Sequence, residues 1–168
     1  MDTQLFELAF THRSFAFEHG RIPSNERLEF LGDAVLQIVV TEHIFRSTPD
    51  LAEGQLAKLR ASVVSSHALA EVARGLDLGE LIRLGQGEIN TGGADKTSIL
   101  ADTMEAVIGA IHMSCGADAA ACFVHALLDE RIASSELKGH YTDYKTALQE
   151  YCAHSGLEPP RYEIVGEG

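Results

Sequence analysis

The chain has 168 residues, 45% of them apolar and 23% charged, the size and composition of one ordinary globular domain with a fragment of a second. No apolar run approaches the ~18–20 residues that span a bilayer, and Met1-Asp2-Thr3-Gln4 lacks the basic and apolar regions of a secretion signal, so a cytoplasmic protein with no membrane partner is expected. The net charge of −12, from 25 acidic and 13 basic side chains, opposes a nucleic-acid partner unless divalent cations invert the field of a carboxylate cluster.

Helical periodicity dominates and strict alternation is nearly absent, which predicts an all-α fold. Leu5 to Phe10 starts a short helix, and Thr11-His12-Arg13-Ser14 follows as a polar turn or continued helix, with a loop through Gly20 and Pro23. Ser24 or Asn25 caps a long helix placed near 25–46, with Leu28, Leu31, Val35, Ile38 and Val39 inward and Pro49 forbidding continuation. Leu56 through Ala73 reads as one helix closed by Gly75, and Leu76 to Leu84 as a helical turn or two. Gly85, Gly87, Gly92 and Gly93 punctuate a flexible loop. Lys96 to Cys115 is the second long, largely buried helix, and Asp118 to Ile132 the next. Glu136 to Tyr141 reads as a linker and Thr142 to Ser155 as a last helix, before a strand-like run at Arg161–Val165. A helix and a strand bury no core of their own, so the chain divides into one domain over 1–138 and an incomplete second unit over 139–168. Cys115, Cys122 and Cys152 form no CxxC pair and are expected to be unpaired core residues.

Chemistry concentrates on the two long helices. At ~100° per residue, Glu26, Glu29 and Asp33 fall within ~60° of one another. Exposed carboxylates at such spacing repel, so the stripe is either a solvated face near a helix N-terminus or half of a cation site. Asp102 and Glu105 repeat the i, i+3 spacing on the other helix, among Ile99, Leu100, Met104, Val107, Ile108 and Ile111, where acids seldom go unpaired. Gly109 lies one turn further along that stripe, where another backbone or a ligand can approach. Packed face to face, the helices would pool Glu29, Asp33, Asp102 and Glu105, an all-oxygen set suited to Mg²⁺ or Mn²⁺. Without cations, at least one of these pKa values should rise. Phe30 falls beside the acidic stripe, which leaves it covered by a loop or exposed to a partner, most economically a second copy. Arg27, between Glu26 and Glu29, is expected to pair within the chain, and His12 to be a structural hydrogen-bonder.

The run Asn25-Glu26-Arg27-Leu28-Glu29-Phe30-Leu31-Gly32-Asp33-Ala34-Val35 closely resembles the signature of the ribonuclease III family, the double-stranded-RNA endonucleases. Thr11-His12-Arg13-Ser14 resembles its upstream polar motif. Glu53-Gly54 with Lys58-Leu59-Arg60-Ala61 resembles the segment after the signature helix, and Lys96-Thr97-Ser98-Ile99-Leu100-Ala101-Asp102-Thr103-Met104-Glu105-Ala106 the second acidic motif. The resemblance covers about residues 5–135 in order. Asp143 to Glu150 resembles the first helix of an α-β-β-β-α double-stranded-RNA-binding domain.

The resemblance implies the all-α ribonuclease III domain followed by the start of that RNA-binding unit. It implies a Mg²⁺-dependent endoribonuclease, with Mn²⁺ as substitute, that hydrolyses double-stranded RNA by two-metal-ion catalysis. Products with 5′-phosphate and 3′-hydroxyl ends, a homodimeric state and a role in rRNA and mRNA precursor processing follow from the same resemblance. Glu29, Asp33, Asp102 and Glu105 match its metal-binding acids, with Asp33 and Glu105 most directly catalytic. Glu26 and Glu53 match supporting acids, Phe30 an aromatic that enters the partner subunit, and Thr146, Gln149 and Glu150 lie where the RNA-binding unit meets RNA. Two other readings compete: an all-α nucleotide pyrophosphohydrolase, which also pairs carboxylates on helices, and a duplex-RNA scaffold on the same fold. The first leaves Phe30, the Thr11–Ser14 motif and the helix from Thr142 without a role, and the second would be favoured had a neutral residue replaced Asp33 or Glu105.

Overall fold

A computed structural model describes the backbone of residues 2–142 and 144–161 and the side chains of residues 2–135, 148–149 and 151–161. Among the described residues the architecture is all-helical: α1 (Thr3–Ala9), α2 (Arg13–Glu18), α3 (Glu26–Ser47), α4 (Glu53–Val63), α5 (Ser66–Gly75), α6 (Gln86–Asn90), α7 (Thr97–Cys115), α8 (Ala117–Thr142) and α9 (Tyr144–His154). Short 3-10 turns lie at Leu78–Leu81 and Gly93–Asp95.

α7 is the central element, packed against α1, α3, α5 and α8. Every residue from Ile99 to Ala110 is buried except Asp102 and Glu105, which are half-buried. A helix apolar on all sides must be enclosed, and its two acids mark the one stripe where the enclosure opens.

The most extensive packing is between α7 and α3, and two glycines determine how close it is. A Cβ at Gly32 would lie 1.7 Å from the Glu105 carbonyl oxygen, and one at Gly109 would lie 2.3 Å from the Leu28 carbonyl oxygen. The two backbones therefore touch at a reciprocal crossing, as the position of Gly109 in the sequence foretold. α3 turns Leu28, Gly32, Val35, Leu36, Val40 and Ile44 into the core, while Leu31 and Val39 flank it half-buried. Ile38, expected inward, is 62% exposed, because the stripe set by Gly32 follows the i, i+4 row through Leu36 and Val40.

Several local expectations are corrected. Thr11–Ser14 is neither a simple turn nor a helix continuation. Thr11 makes an isolated parallel bridge with Arg83, and His12 caps the separate helix α2. Asn25 occupies the N-cap position of α3 without making a side-chain cap. Its buried amide donates instead to the Ala9 carbonyl at 3.2 Å, and its N–H to Thr11 O at 2.9 Å, which bolts the start of α3 to the α1–α2 junction. Ser24 likewise donates to Glu26 Oε2 at 2.8 Å.

The single helix expected over 56–73 is two. The Ser62 hydroxyl donates to Leu59 O and the Ser65 hydroxyl to Ser62 O, local competition that disfavours a continuing ladder, and Ser65 restarts the chain as the cap of α5 by accepting from Ala68 N. The glycine-rich loop contains α6, tied down by Lys96, whose ammonium donates to Glu88 at 2.6 Å and to Thr91 at 2.8 Å. Gly116 (φ +88°) ends α7 in a conformation open chiefly to glycine. The expected linker at Glu136–Tyr141 is part of α8, its Glu136, Leu137 and Lys138 being good helix formers. Cys152 is buried, but Cys115 and Cys122 are exposed rather than core, and all three are free. The strand expected at Arg161–Val165 falls, Arg161 apart, outside the described residues. No helix among those described is long and apolar enough to cross a membrane.

Candidate metal centre

Where α3 crosses α7, the ligand oxygens of Glu29, Asp102 and Glu105 all lie within 4.8 Å of one another. Three of the four pooled carboxylates thus converge as the helical spacing predicted. Asp33, one turn beyond Glu29, is exposed and accepts from Gln37 Nε2 at 3.3 Å. It lies outside the tight trio, yet it is the charged neighbour that raises the Glu105 pKa most.

The electrostatics are those of half-buried like charges that neighbouring cations offset only in part. Burial, and then Asp33, Asp102 and Glu29, push the Glu105 carboxyl up to about 8. Glu29 is raised by burial, then by Asp102 and Glu26. Asp102 is raised by burial, while His12 and Arg13 pull the other way. Oxygen donors held this close, with all three carboxyl pKa values raised, suit a hard dication.

Around the trio stand the residues of the polar motif. The N–H of Ser14 donates to His12 Nδ1, whose neighbour Ser14 Oγ is 2.8 Å away, so Nδ1 is an acceptor and the neutral ring carries its proton on Nε2. Ser14 Oγ in turn accepts from Gly85 N at 2.9 Å. His12 is therefore the structural hydrogen-bonder its sequence context indicated, with burial lowering its pKa. Glu26 is exposed at the rim, where Arg13 meets it at 3.9 Å. The expected pairing of Arg27 with its acidic neighbours is not seen: among the described residues Arg27 forms no ion pair, and Arg13 takes that place.

The other predicted site residues lie elsewhere. Phe30 projects from α3 with 82% of its surface exposed, so no loop covers it. Glu53 is exposed at the first turn of α4, on the wall of a cavity of about 170 Å³ lined also by Thr41, Ile44, Phe45, Leu56, Ala57 and Arg60. Gln149 is exposed on α9, whereas the side chains of Thr146 and Glu150 lie outside the described residues. Sequence reasoning also missed a second convergence, His43 with His125 and Asp129. The signal was present as His125 and Asp129 spaced i, i+4 on one helix face, but their partner is remote in sequence.

A profile of the family described as Ribonuclease-III-like matches residues 2–131. The chain belongs to the ribonuclease III family. The Ribonuclease 3 of Streptomyces coelicolor is 57% identical over 168 residues, all of this chain and 61% of that protein. The Ribonuclease 3 of Leifsonia xyli subsp. xyli is 54% identical over 168 residues, again all of this chain and 71% of that protein. The chain thus spans about two thirds of the length of these ribonuclease III relatives. The nuclease domain of ribonuclease III from Campylobacter jejuni, described for structural flexibility in the region involved in dimer formation, matches with a TM-score of 0.73 and 44% identity over 77% of this chain and 87% of that one. Dicer from Pichia stipitis matches with a TM-score of 0.62 and 26% identity over 82% of this chain and 58% of that one. Membership in the ribonuclease III family removes the pyrophosphohydrolase alternative and gives the carboxylate crossing its setting.

Proposed function

We propose that this chain is an endoribonuclease that hydrolyses the phosphodiester bonds of double-stranded RNA, leaving 5′-phosphate and 3′-hydroxyl ends, and that it acts as a homodimer on rRNA and mRNA precursors in the cytoplasm. The observation that carries the reading is the convergence of Glu29, Asp102 and Glu105 at the α3–α7 crossing, with Asp33 beside it, in a chain of the ribonuclease III family. Both positions keep a carboxylate side chain, Asp33 and Glu105, rather than a residue that cannot ionise, which argues against a scaffold.

Glu29, Asp33, Asp102 and Glu105 are the residues that would hold Mg²⁺, or Mn²⁺ in its place. Bound there, such ions supply Lewis acidity to the phosphate and a nucleophile available at neutral pH. The chain's own part is positional. The glycine crossing fixes the spacing of the four acids, and His12, through Ser14 and Gly85, steadies the adjoining loop. Glu26 at the rim biases the charge that an incoming phosphate meets. In the reaction water adds to phosphorus and the bond to the 3′ oxygen breaks, so a 3′-hydroxyl leaves and the phosphate stays on the 5′ end. Duplex RNA is recognised by its A-form shape, phosphates and 2′-hydroxyls, because its deep major groove hides the base edges. Thr146, Gln149 and Glu150 are assigned to that contact.

Phe30 is assigned to the dimer contact. An exposed ring gains by burial against a second copy, and a two-fold axis buries it twice. The mainly apolar cavity between α3 and α4 is the receptor it fits, and such docking would bring Glu53, on the cavity wall, toward the acids of the other copy.

End-labelled duplex RNA incubated with the chain at low salt tests the reading. Mg²⁺-dependent cleavage that a chelator stops, with single strands spared, is expected. Glu105→Gln should lower the rate by ~10²-fold or more, beyond what loss of a merely supporting group costs, with the folded state retained. Preserved turnover in that variant would overturn the assignment of Glu105, and absence of duplex cleavage in the unmodified chain would overturn the activity.

A further inference from the structure

Far along α3 from the carboxylates, two imidazoles and a carboxylate converge. His43 projects from α3, and His125 and Asp129 from successive turns of α8. His125 Nδ1 lies 2.9 Å from Asp129 Oδ1 and His43 Nδ1 lies 3.6 Å from the same oxygen. The imidazole centroids are 5.2 Å apart, and one ligand atom from each residue falls within 4.8 Å of the other two. Since His43 follows Glu29 by fourteen positions on a continuous helix, the two clusters are separated by about 21 Å along the axis.

We propose that His43, His125 and Asp129 form a second metal site, one for a borderline divalent transition ion of the Zn²⁺ type, which staples α8 to the helix that carries Glu29 and Asp33. Zinc bonds of about 2.0–2.1 Å in tetrahedral geometry separate ligand atoms by roughly 3.3–3.5 Å. The His43–Asp129 separation already fits that spacing. The shorter His125–Asp129 contact has only to open by about half an ångström, well within the reach of a side-chain torsion. Two imidazoles and one carboxylate are a zinc-type donor set and a poor one for Mg²⁺, which favours oxygen throughout.

The surroundings supply what three protein ligands leave over. A surface cavity of about 430 Å³ is lined by both histidines with Val39, Glu42, Arg46 and Ala121, giving room for a solvent molecule in the fourth position. The nearby cation Arg46 is neutralised by Glu42, with which it forms an i, i+4 ion pair. His43 and His125 are each only partly exposed, so little side-chain ordering remains to oppose binding.

Titration of the chain with Zn²⁺ in saturating Mg²⁺, followed by calorimetry, tests the proposal, with Co²⁺ as a spectroscopic probe of geometry. One equivalent is expected, with the visible absorption of tetrahedral cobalt and no thiolate charge-transfer band. His43→Ala and His125→Ala should each weaken binding at least tenfold, and the double variant should abolish it while Mg²⁺-dependent RNA cleavage stays unchanged. Circular dichroism establishes that the variants are folded, and His125→Asn provides a second, milder removal of the ligand. Unaltered Zn²⁺ binding in the histidine variants, a thiolate band, or no binding at all would overturn the proposal and leave a hydrogen-bonded cluster only.

Discussion

Glu105 combines the deepest setting with the strongest charge crowding in the acidic cluster. Its pKa stands at about 8 against an ordinary 4.5, so the folded chain without cations holds a proton that the unfolded chain releases. Between those two values the folded state binds more protons, and stability must fall as pH rises through the window. His12 acts in a different range: its pKa is lowered from 6.5 by burial, so its contribution is present above 6.5 and is lost as pH falls. Comparison with Glu105→Gln isolates the carboxyl, because the amide is close in shape to the protonated acid and does not titrate. Urea denaturation in chelator is expected to give the unmodified chain and the variant similar stability below pH 4.5. The variant should become progressively more stable up to about pH 8, with the gap closing when Mg²⁺ is added. Parallel curves across that range would mean that Glu105 ionises without penalty, and would weaken the case for a cation there.

At the scale of elements, the site depends on how closely α3 and α7 approach. A Cβ at Gly32 would meet the Glu105 carbonyl oxygen at 1.7 Å, and a backbone atom in the middle of a buried helix has little room to yield. Gly32→Ala should therefore cost ~3 kcal/mol or more, with Gly109→Ala somewhat milder, as overpacking against rigid neighbours does. Gly54→Ala, where a Cβ would meet nothing within 4 Å, should be tolerated; urea midpoints of the three variants check the ordering. Gly109 could be read as a point of close approach because it continues the acidic stripe. Gly32 was harder to recognise, since its role depends on a helix more than seventy positions away. The same contrast holds elsewhere. The long helices and their acid spacing were legible because the 3.6-residue period is local, and Phe30 could be marked as either covered or partner-facing. The break at Ser65, the redirected amide of Asn25 and the pairing of Arg13 rather than Arg27 with Glu26 were not legible, because each is decided by competition among nearby polar groups or by long-range packing. The His43–His125–Asp129 convergence was hidden for the second reason.

For the whole molecule, a net charge of −12 must be reconciled with the polyanionic substrate proposed for it. Cations at the acidic centre would reverse the local field, and a dimer would set two such centres on one continuous surface. Duplex RNA has two antiparallel strands, so cutting both in one encounter calls for two sites related by a two-fold axis. Phe30 is the residue best placed to create that symmetry: its ring lies next to Glu29 in sequence, is 82% exposed, and stands on the helix that carries the acids. Removing it should therefore loosen association without disturbing the protomer core, to which it contributes nothing. Phe30→Ala is expected to raise the dimer dissociation constant in sedimentation equilibrium by ~10²-fold, in line with ~3 kcal/mol for an aromatic anchor, while the urea midpoint of the protomer moves little. At concentrations where the variant is monomeric, cleavage should shift from paired cuts toward slow nicking of single strands within the duplex. An unchanged association constant would place the dimer contact on another surface.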